Sequence, residues 1–294
     1  MSKSAQLFII YATVSWGLVG LWSRKLTAIG FSYTELAAAR CIISAVCIFA
    51  FLLIANREKA KINIKDIWIF FFTGGLGLSA CYIFYFFTAA TITLSATTIL
   101  VYTSPYMVML MSALLFKEKV TRQKLGALLI AFTGCVMTVG LIDNSNLPAI
   151  GIMSGLASAF LYSLYTIFGK VALRKNYTSL TVTAYSYLIA SIVLIPFCSL
   201  RNIVTITGES GANLVNLLVF GLLFTLIPTI SYMKGLQKLE PGRVSIIAFV
   251  EPMTAAIAGI VVYNEMLSVI KIIGMALIFL ALVILNLKPK PHSL

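Results

Sequence analysis

The sequence is poor in the side chains that most enzymes depend on. It has a single histidine, His292, in the tail KPKPHSL, and only nine acidic residues in 294. Acid–base or metal chemistry built on histidine therefore has almost no material. A membrane transferase, which would gather His, Asp, Glu or metal ligands at one interface, is equally disfavoured. The five cysteines (Cys41, Cys47, Cys81, Cys135 and Cys198) all fall inside apolar runs without metal-ligand spacing, as small packing residues do. No GxxxxGK[ST] phosphate loop occurs, which argues against ATP-driven pumping within this chain. No enzyme activity, catalytic residue, metal or cofactor is expected. Charge is scarce too: 11% of residues, against roughly 25% in soluble proteins.

What is abundant is apolar surface, at 60% of residues. Runs of about 20 such residues recur, each long enough to cross roughly 30 Å of hydrocarbon as a helix. Ten are expected, over 6–23, 34–55, 67–90, 94–115, 122–142, 149–169, 179–200, 213–235, 242–263 and 269–287, with short loops between them. The fold class is an all-α polytopic membrane protein, with the lipid bilayer as its solvent. The first run, QLFIIYATVSWGLVGLW, reads as a retained helix because no small-residue cleavage site precedes Arg24-Lys25.

The excess of base, 22 Lys and Arg against nine acids, would suggest nucleic acid in a soluble domain; its distribution here points elsewhere. Lys3, Arg57, Lys59, Lys61, Lys65, Lys117, Lys119, Arg122, Lys124, Lys170, Arg174, Lys175, Lys234, Lys238, Arg243, Lys288 and Lys290 fall on one face. The other face has only Arg24, Lys25, Arg201 and Lys271, and Arg40 lies within a span. By the positive-inside rule the base-rich face and both termini are cytoplasmic. No nucleic-acid partner is expected.

An internal repeat underlies this pattern. Shifting residues 74–120 by 147 lays Gly74 on Gly221, Tyr85 on Tyr232, Pro105 on Pro252 and Glu118 on Glu265. One inserted residue later Gly126 meets Gly274, and near the N-terminus a shift of 145 lays Lys25 on Lys170. The expected halves are 1–145 and 146–294, five spans each. An odd number inverts the second half in the membrane, and inverted repeats belong to secondary transporters with a site between the halves near the midplane.

The chain resembles the EamA-type transporters of the drug/metabolite transporter superfamily. The resemblance rests on Trp16-Gly17, Arg40, the block Pro105…Phe116-Lys117-Glu118…Gly126, and Glu251-Pro252…Asn264-Glu265…Gly274. It implies an inner-membrane carrier of small metabolites or amphipathic toxic compounds, often an exporter, with a central cavity lined by both halves. A shared fold does not transfer a substrate.

Pro105 and Pro252 sit mid-span, where each should free a carbonyl one turn back, at Val101 and Ala248. Paired interruptions point to a transport site, though a plain packing kink remains the alternative. Glu251, in the apolar run IIAFVEPMTAAIAG, is the one acid deep in a span and has no twin, since Ser104 stands opposite. Arg40 lies about 9 Å into its span, where it could snorkel to the outer face or serve as a counter-charge for a substrate or for Glu251. Glu118 and Glu265 each precede a hydroxyl, Thr121 or Ser268, by three residues; helix capping and the helix dipole explain that arrangement, with gating as the alternative. Lys170 and Lys234 read as orientation anchors near span ends.

Trp16, Tyr82, Tyr85, Tyr102, Ser104, Tyr162, Tyr165 and Tyr232 join Glu251 as candidate cavity residues. Ser158, Tyr162 and Tyr165 form one helical stripe, and hydroxyls at depth gain nothing from lipid. Such a cavity suits amino acids or flat amphipathic compounds. The leading expectation is a secondary transporter, exporting small metabolites such as amino acids by alternating access. Protons are a candidate coupling ion through Glu251 and Arg40, because burial favours the neutral acid and a guanidinium the carboxylate. A multidrug or quaternary-cation extruder and a permease for anionic sugar phosphates or carboxylates are the alternatives. The doubled halves allow a monomer to be complete.

Overall fold

A computed structural model describes residues 3–140 and 147–287. The expected boundary between halves, at 145/146, lies outside the described residues, as do Lys288, Lys290 and His292. Everything described is helix or connection; there is no strand among these residues. In chain order the α-helices are α1 (Lys3–Gly17), α2 (Val19–Thr27), α3 (Tyr33–Ala55), α4 (Ile67–Phe70), α5 (Cys81–Thr91), α6 (Leu94–Val101), α7 (Ser104–Phe116) and α8 (Arg122–Val139). They continue with α9 (Ala149–Arg174), α10 (Ser179–Leu194), α11 (Leu200–Glu209), α12 (Gly211–Gly221), α13 (Ile227–Lys238), α14 (Pro241–Ile247), α15 (Val250–Tyr263) and α16 (Val269–Asn286).

Nine helical stretches among the described residues are long and apolar enough to cross a membrane. The protein is thus polytopic, and its outer surface agrees. Val46, Ile54, Leu110, Leu114, Val261 and Phe279 are all exposed, while Thr13, Ser44, Thr73, Ser79, Thr88, Thr97, Ser112 and Ser158 are buried. A water-soluble fold would sort these the other way. Ten spans were expected. The shortfall is at 122–142: α8 has a polar first turn, Arg122-Gln123-Lys124, and is not among the nine. Its expected end at 142 lies outside the described residues.

Several expected single spans are jointed. The first runs as α1 and α2, bent at Leu18 beside Gly17. The third passes from α4 through a π-helical stretch, Phe71–Ala80, into α5, and the eighth passes from α12 through a shorter one, Leu222–Leu226, into α13. Each wide turn is filled by a hydroxyl reaching five residues back: Ser79 Oγ donates to the Gly74 carbonyl (2.9 Å) and Thr225 Oγ1 to that of Phe220 (3.0 Å). The connection after α10 was expected to be a loop; it holds the short helix α11, whose Ile206 tucks under α3 and α12 while Val204 faces out.

The last three helices of each half recur at a spacing of 147: Leu94 and Pro241 open α6 and α14, Arg122 and Val269 open α8 and α16, and Val139 and Asn286 close them. The details recur as well. Lys117 (φ 56°) and Asn264 (φ 51°) end α7 and α15 in the left-handed conformation. Thr121 and Ser268 cap the next helices, accepting from the amides of Lys124 (3.2 Å) and Lys271 (3.3 Å). The register holds without the inserted residue expected between Gly126 and Gly274. Gly126 faces open space, whereas Gly274 lies against α8, where a Cβ would come within 2.6 Å of the Gly134 carbonyl oxygen.

The helices cross between halves. α8 lies along α16, α1 against α13 and α15, α10 against α3, and α9 against α5 and the π stretch before it. The connections flanking α3 and α10 are tied on both sides. At one end Asp66 Oδ1 accepts from Lys175 Nζ (2.6 Å), and its Oδ2 accepts from the Tyr177 hydroxyl (2.7 Å). Burial, together with that bond to Asp66, pushes the Tyr177 hydroxyl above the usual phenol range. At the other end the Asn202 amide donates to both carboxylate oxygens of Glu35, each at 3.0 Å, and Glu35 also closes a capping box with Ser32.

Candidate functional site

The prolines do not kink one long helix; they begin a second one. α6 stops at Val101 and α7 opens at Ser104, with Pro105 in its first turn. α14 stops at Ile247 and α15 opens at Val250, with Glu251 and Pro252 in its first turn. A first-turn amide has no intrahelical acceptor, so proline there loses nothing. The Ala248 carbonyl, expected to be free, instead accepts from the Glu251 amide at 3.0 Å. Glu251 thereby places a carboxylate at a helix N-terminus, where the backbone dipole favours negative charge.

The two breaks meet. Tyr102 and Phe249, 147 residues apart and so equivalent in the repeat, stack ring to ring at 5.7 Å with 30° between planes. Beside them is a cavity of about 20 Å³, room for about one water. It is lined by Tyr102, Ser104, Pro105 and Val108 from the first break, Tyr162 and Thr166 of α9, Tyr232 of α13, and Ser245, Ala248 and Glu251 from the second. Both parts of the chain contribute to one chamber. Tyr102 and Glu251 face the same chamber from the two breaks.

The other candidate residues do not line this chamber. Trp16 packs on Tyr232, with centroids 5.1 Å apart. Tyr165 stands behind the wall, stacked on Tyr162 (6.3 Å) and Tyr232 (6.0 Å), and its buried hydroxyl has no hydrogen-bond partner. Tyr85 packs edge-on to Phe86. Arg40 does not snorkel outward. Its guanidinium lies over the Tyr82 ring, 4.3 Å from the centroid, and 6.0 Å from that of Phe220, with Nε buried and unbonded.

Glu118 and Glu265 lie away from the chamber. Glu118 accepts from Lys124 Nζ (2.8 Å), the Gly242 amide (3.1 Å) and the Ser112 hydroxyl, so it joins the start of α14 to α7 and α8. Glu265 is more exposed, 3.4 Å from Arg24 and 3.6 Å from Lys271. Lys170 donates to three carbonyls at the end of α13, and Lys234 lies over Phe8. Sequence reasoning missed Thr166, Ser245 and Val108, and named Ala248 only for its carbonyl. Thr166 is four residues beyond Tyr162 on the same helical stripe, and its hydroxyl bonds that of Tyr232 at 2.8 Å. Ser245 is the counterpart of Thr98 at the repeat spacing, a residue with no signal of its own, so only Thr166 could have been found. Among the described residues no group of three or more His, Cys, Asp and Glu side chains converges, so no metal constellation is present there.

The model of the EamA-like transporter family matches residues 3–140 and again 149–287. The chain belongs to the EamA-like transporter family. A transporter of Archaeoglobus fulgidus, described as uncharacterized, is 27% identical over 271 residues, covering 90% of this chain and 95% of its own. The uncharacterized transporter YwfM of Bacillus subtilis is 25% identical, covering 98% and 95%, and protein PecM of Dickeya dadantii is 25% identical, covering 75% and 74%. A crystal structure titled only as that of a protein shares the fold, with a TM-score of 0.78 and 16% identity over 97% of this chain and 98% of that one. This EamA-family member is a multi-pass membrane transporter.

Proposed function

We propose that this EamA-family protein is a secondary transporter that exports small metabolites such as amino acids by alternating access. In this reading the halves 1–145 and 146–294 are inverted five-helix repeats, ten spans in all. Both termini face the cytoplasm and the membrane is the inner membrane of a prokaryote. The observation that carries the reading is the meeting of two helix breaks, equivalent in the repeat, at one chamber lined by Glu251. Broken helices at such a position are how membrane carriers present backbone and charge to a substrate. Export, rather than uptake, follows the family resemblance.

Glu251 is the candidate proton carrier and Arg40 the counter-charge. Amino acids would be screened by thermal shift on the purified protein and the hits followed in proteoliposomes. Transport of a hit should follow an imposed pH gradient in the parent and lose that dependence in Glu251→Gln. Equal, gradient-insensitive rates in both would remove the proton role, and an absence of saturable transport for any hit would remove the function. The alternative of an anionic substrate group would rest on Arg40, whose guanidinium lies over Tyr82 and not among the residues that line the chamber.

A further inference from the structure

We propose that Glu118 and Lys170 on the base-rich face, and Glu265 and Lys25 on the other, are exchangeable latches of the transport cycle. In this structure the base-rich latch is closed. The inference rests on alternating access.

On the base-rich face the junction between α13 and α14 is held from both sides. Lys170 Nζ donates to the carbonyls of Leu236 (2.7 Å), Gln237 (3.2 Å) and Leu239 (2.8 Å), placing a cation at the C-terminal end of α13. Glu118, with its side chain 3% exposed, accepts from the Gly242 amide and places an anion at the start of α14. Both signs match the helix dipoles. Lys124 completes the latch by bridging Glu118 (2.8 Å) and Glu240 (2.6 Å).

The repeat supplies the central charged parts at the opposite face, unassembled, although Thr93 stands where Glu240 would and Gly259 where Ser112 would. The 147-residue spacing carries Glu118 to Glu265, Lys124 to Lys271 and the α13–α14 junction to the α5–α6 junction, while Lys170 corresponds to Lys25. Here Glu265 turns to Arg24 and Lys271 at 3.4 and 3.6 Å, with its side chain 37% exposed, and Lys25 donates to the Asn216 side chain at 3.0 Å. By contrast, the connections flanking α3 and α10 are tied on both sides. If the halves exchange conformations, Glu265 accepts from the Ser95 amide, the counterpart of Gly242. Lys25 then caps the carbonyls of Ala89, Ala90 and Ile92, while Glu118 and Lys170 release the α13–α14 junction.

The test is hydrogen–deuterium exchange on the full-length protein in nanodiscs. Glu118→Gln should speed exchange of the α14 amides roughly tenfold, the scale of one lost charge-assisted hydrogen bond, and slow that of the α6 amides. Glu265→Gln should leave α14 protected and leave α6 no slower than in the parent. Unchanged α14 exchange in Glu118→Gln, or faster exchange of both helices, overturns the latch. A separate measurement tests the underlying reading: a membrane-impermeant thiol reagent is applied to either side of sealed vesicles holding Ser245→Cys, and labelling is read at that residue by mass spectrometry. Labelling from both sides supports alternating access whatever the exchange data say. Labelling from one side only, in the parent and in both Gln variants, overturns alternating access and the latch with it.

Discussion

Lys124 and Lys271 stand 147 residues apart in equivalent first turns, yet their surroundings differ. Lys124 is buried between two carboxylates, and Lys271 has one distant, half-exposed partner. Lys124→Met should therefore cost about 3–5 kcal/mol, because it strands Glu118 in a buried site. Lys271→Met should cost no more than about 1 kcal/mol. Unfolding midpoints in detergent would show the contrast. A second pair sits on the first span. A Cβ at Gly17 would lie 2.6 Å from the Glu251 carbonyl oxygen and 2.7 Å from Thr254 Cβ, whereas one at Gly20 meets nothing within 4 Å. Gly17→Ala should destabilise by about 1–3 kcal/mol and Gly20→Ala should be neutral or stabilising. At this scale the sequence was informative wherever chemistry was odd for its setting. Glu251, the twin prolines and the tyrosines stood out as polar or helix-breaking groups in apolar runs. The partners of Glu118 and Arg40 did not, because Gly242 and Tyr82 reach them through packing that hydropathy does not encode.

Helix positions were legible because about 20 apolar residues in succession have one physical use in lipid. The joints within them were not: a π turn or a break at Leu18 leaves the apolar count unchanged. α11 was missed for the related reason that it is too short and amphipathic to register as a span. Helix contacts follow small residues. α8 and α16 touch through Gly134 and Gly274, where a Cβ on either would sit 2.6 Å from the other's carbonyl oxygen. Gly134→Leu or Gly274→Leu should force these helices apart, lowering the unfolding midpoint and broadening the elution profile. Gly126→Leu, on the same α8 but facing open space, should be tolerated.

At the scale of the whole molecule, the charge distribution predicts that tags on the two termini report the same side of the membrane. Protease added to sealed right-side-out vesicles should spare both; cleavage of one alone would overturn the proposed topology. The pairing of the halves was visible only through the repeat, since the contacts that join them link residues far apart in the chain, from Thr88 with Ser154 to Glu118 with Gly242. The packing of Trp16 on Tyr232 has a practical consequence. The chain has three tryptophans: Trp22 lies against Phe224, and Trp68 against Phe72 and Phe168. Trp22→Phe with Trp68→Phe leaves a single indole emitter one ring away from the chamber wall. Occupancy of the chamber should then change its fluorescence intensity and lifetime, so the protein carries its own optical reporter of whatever it binds.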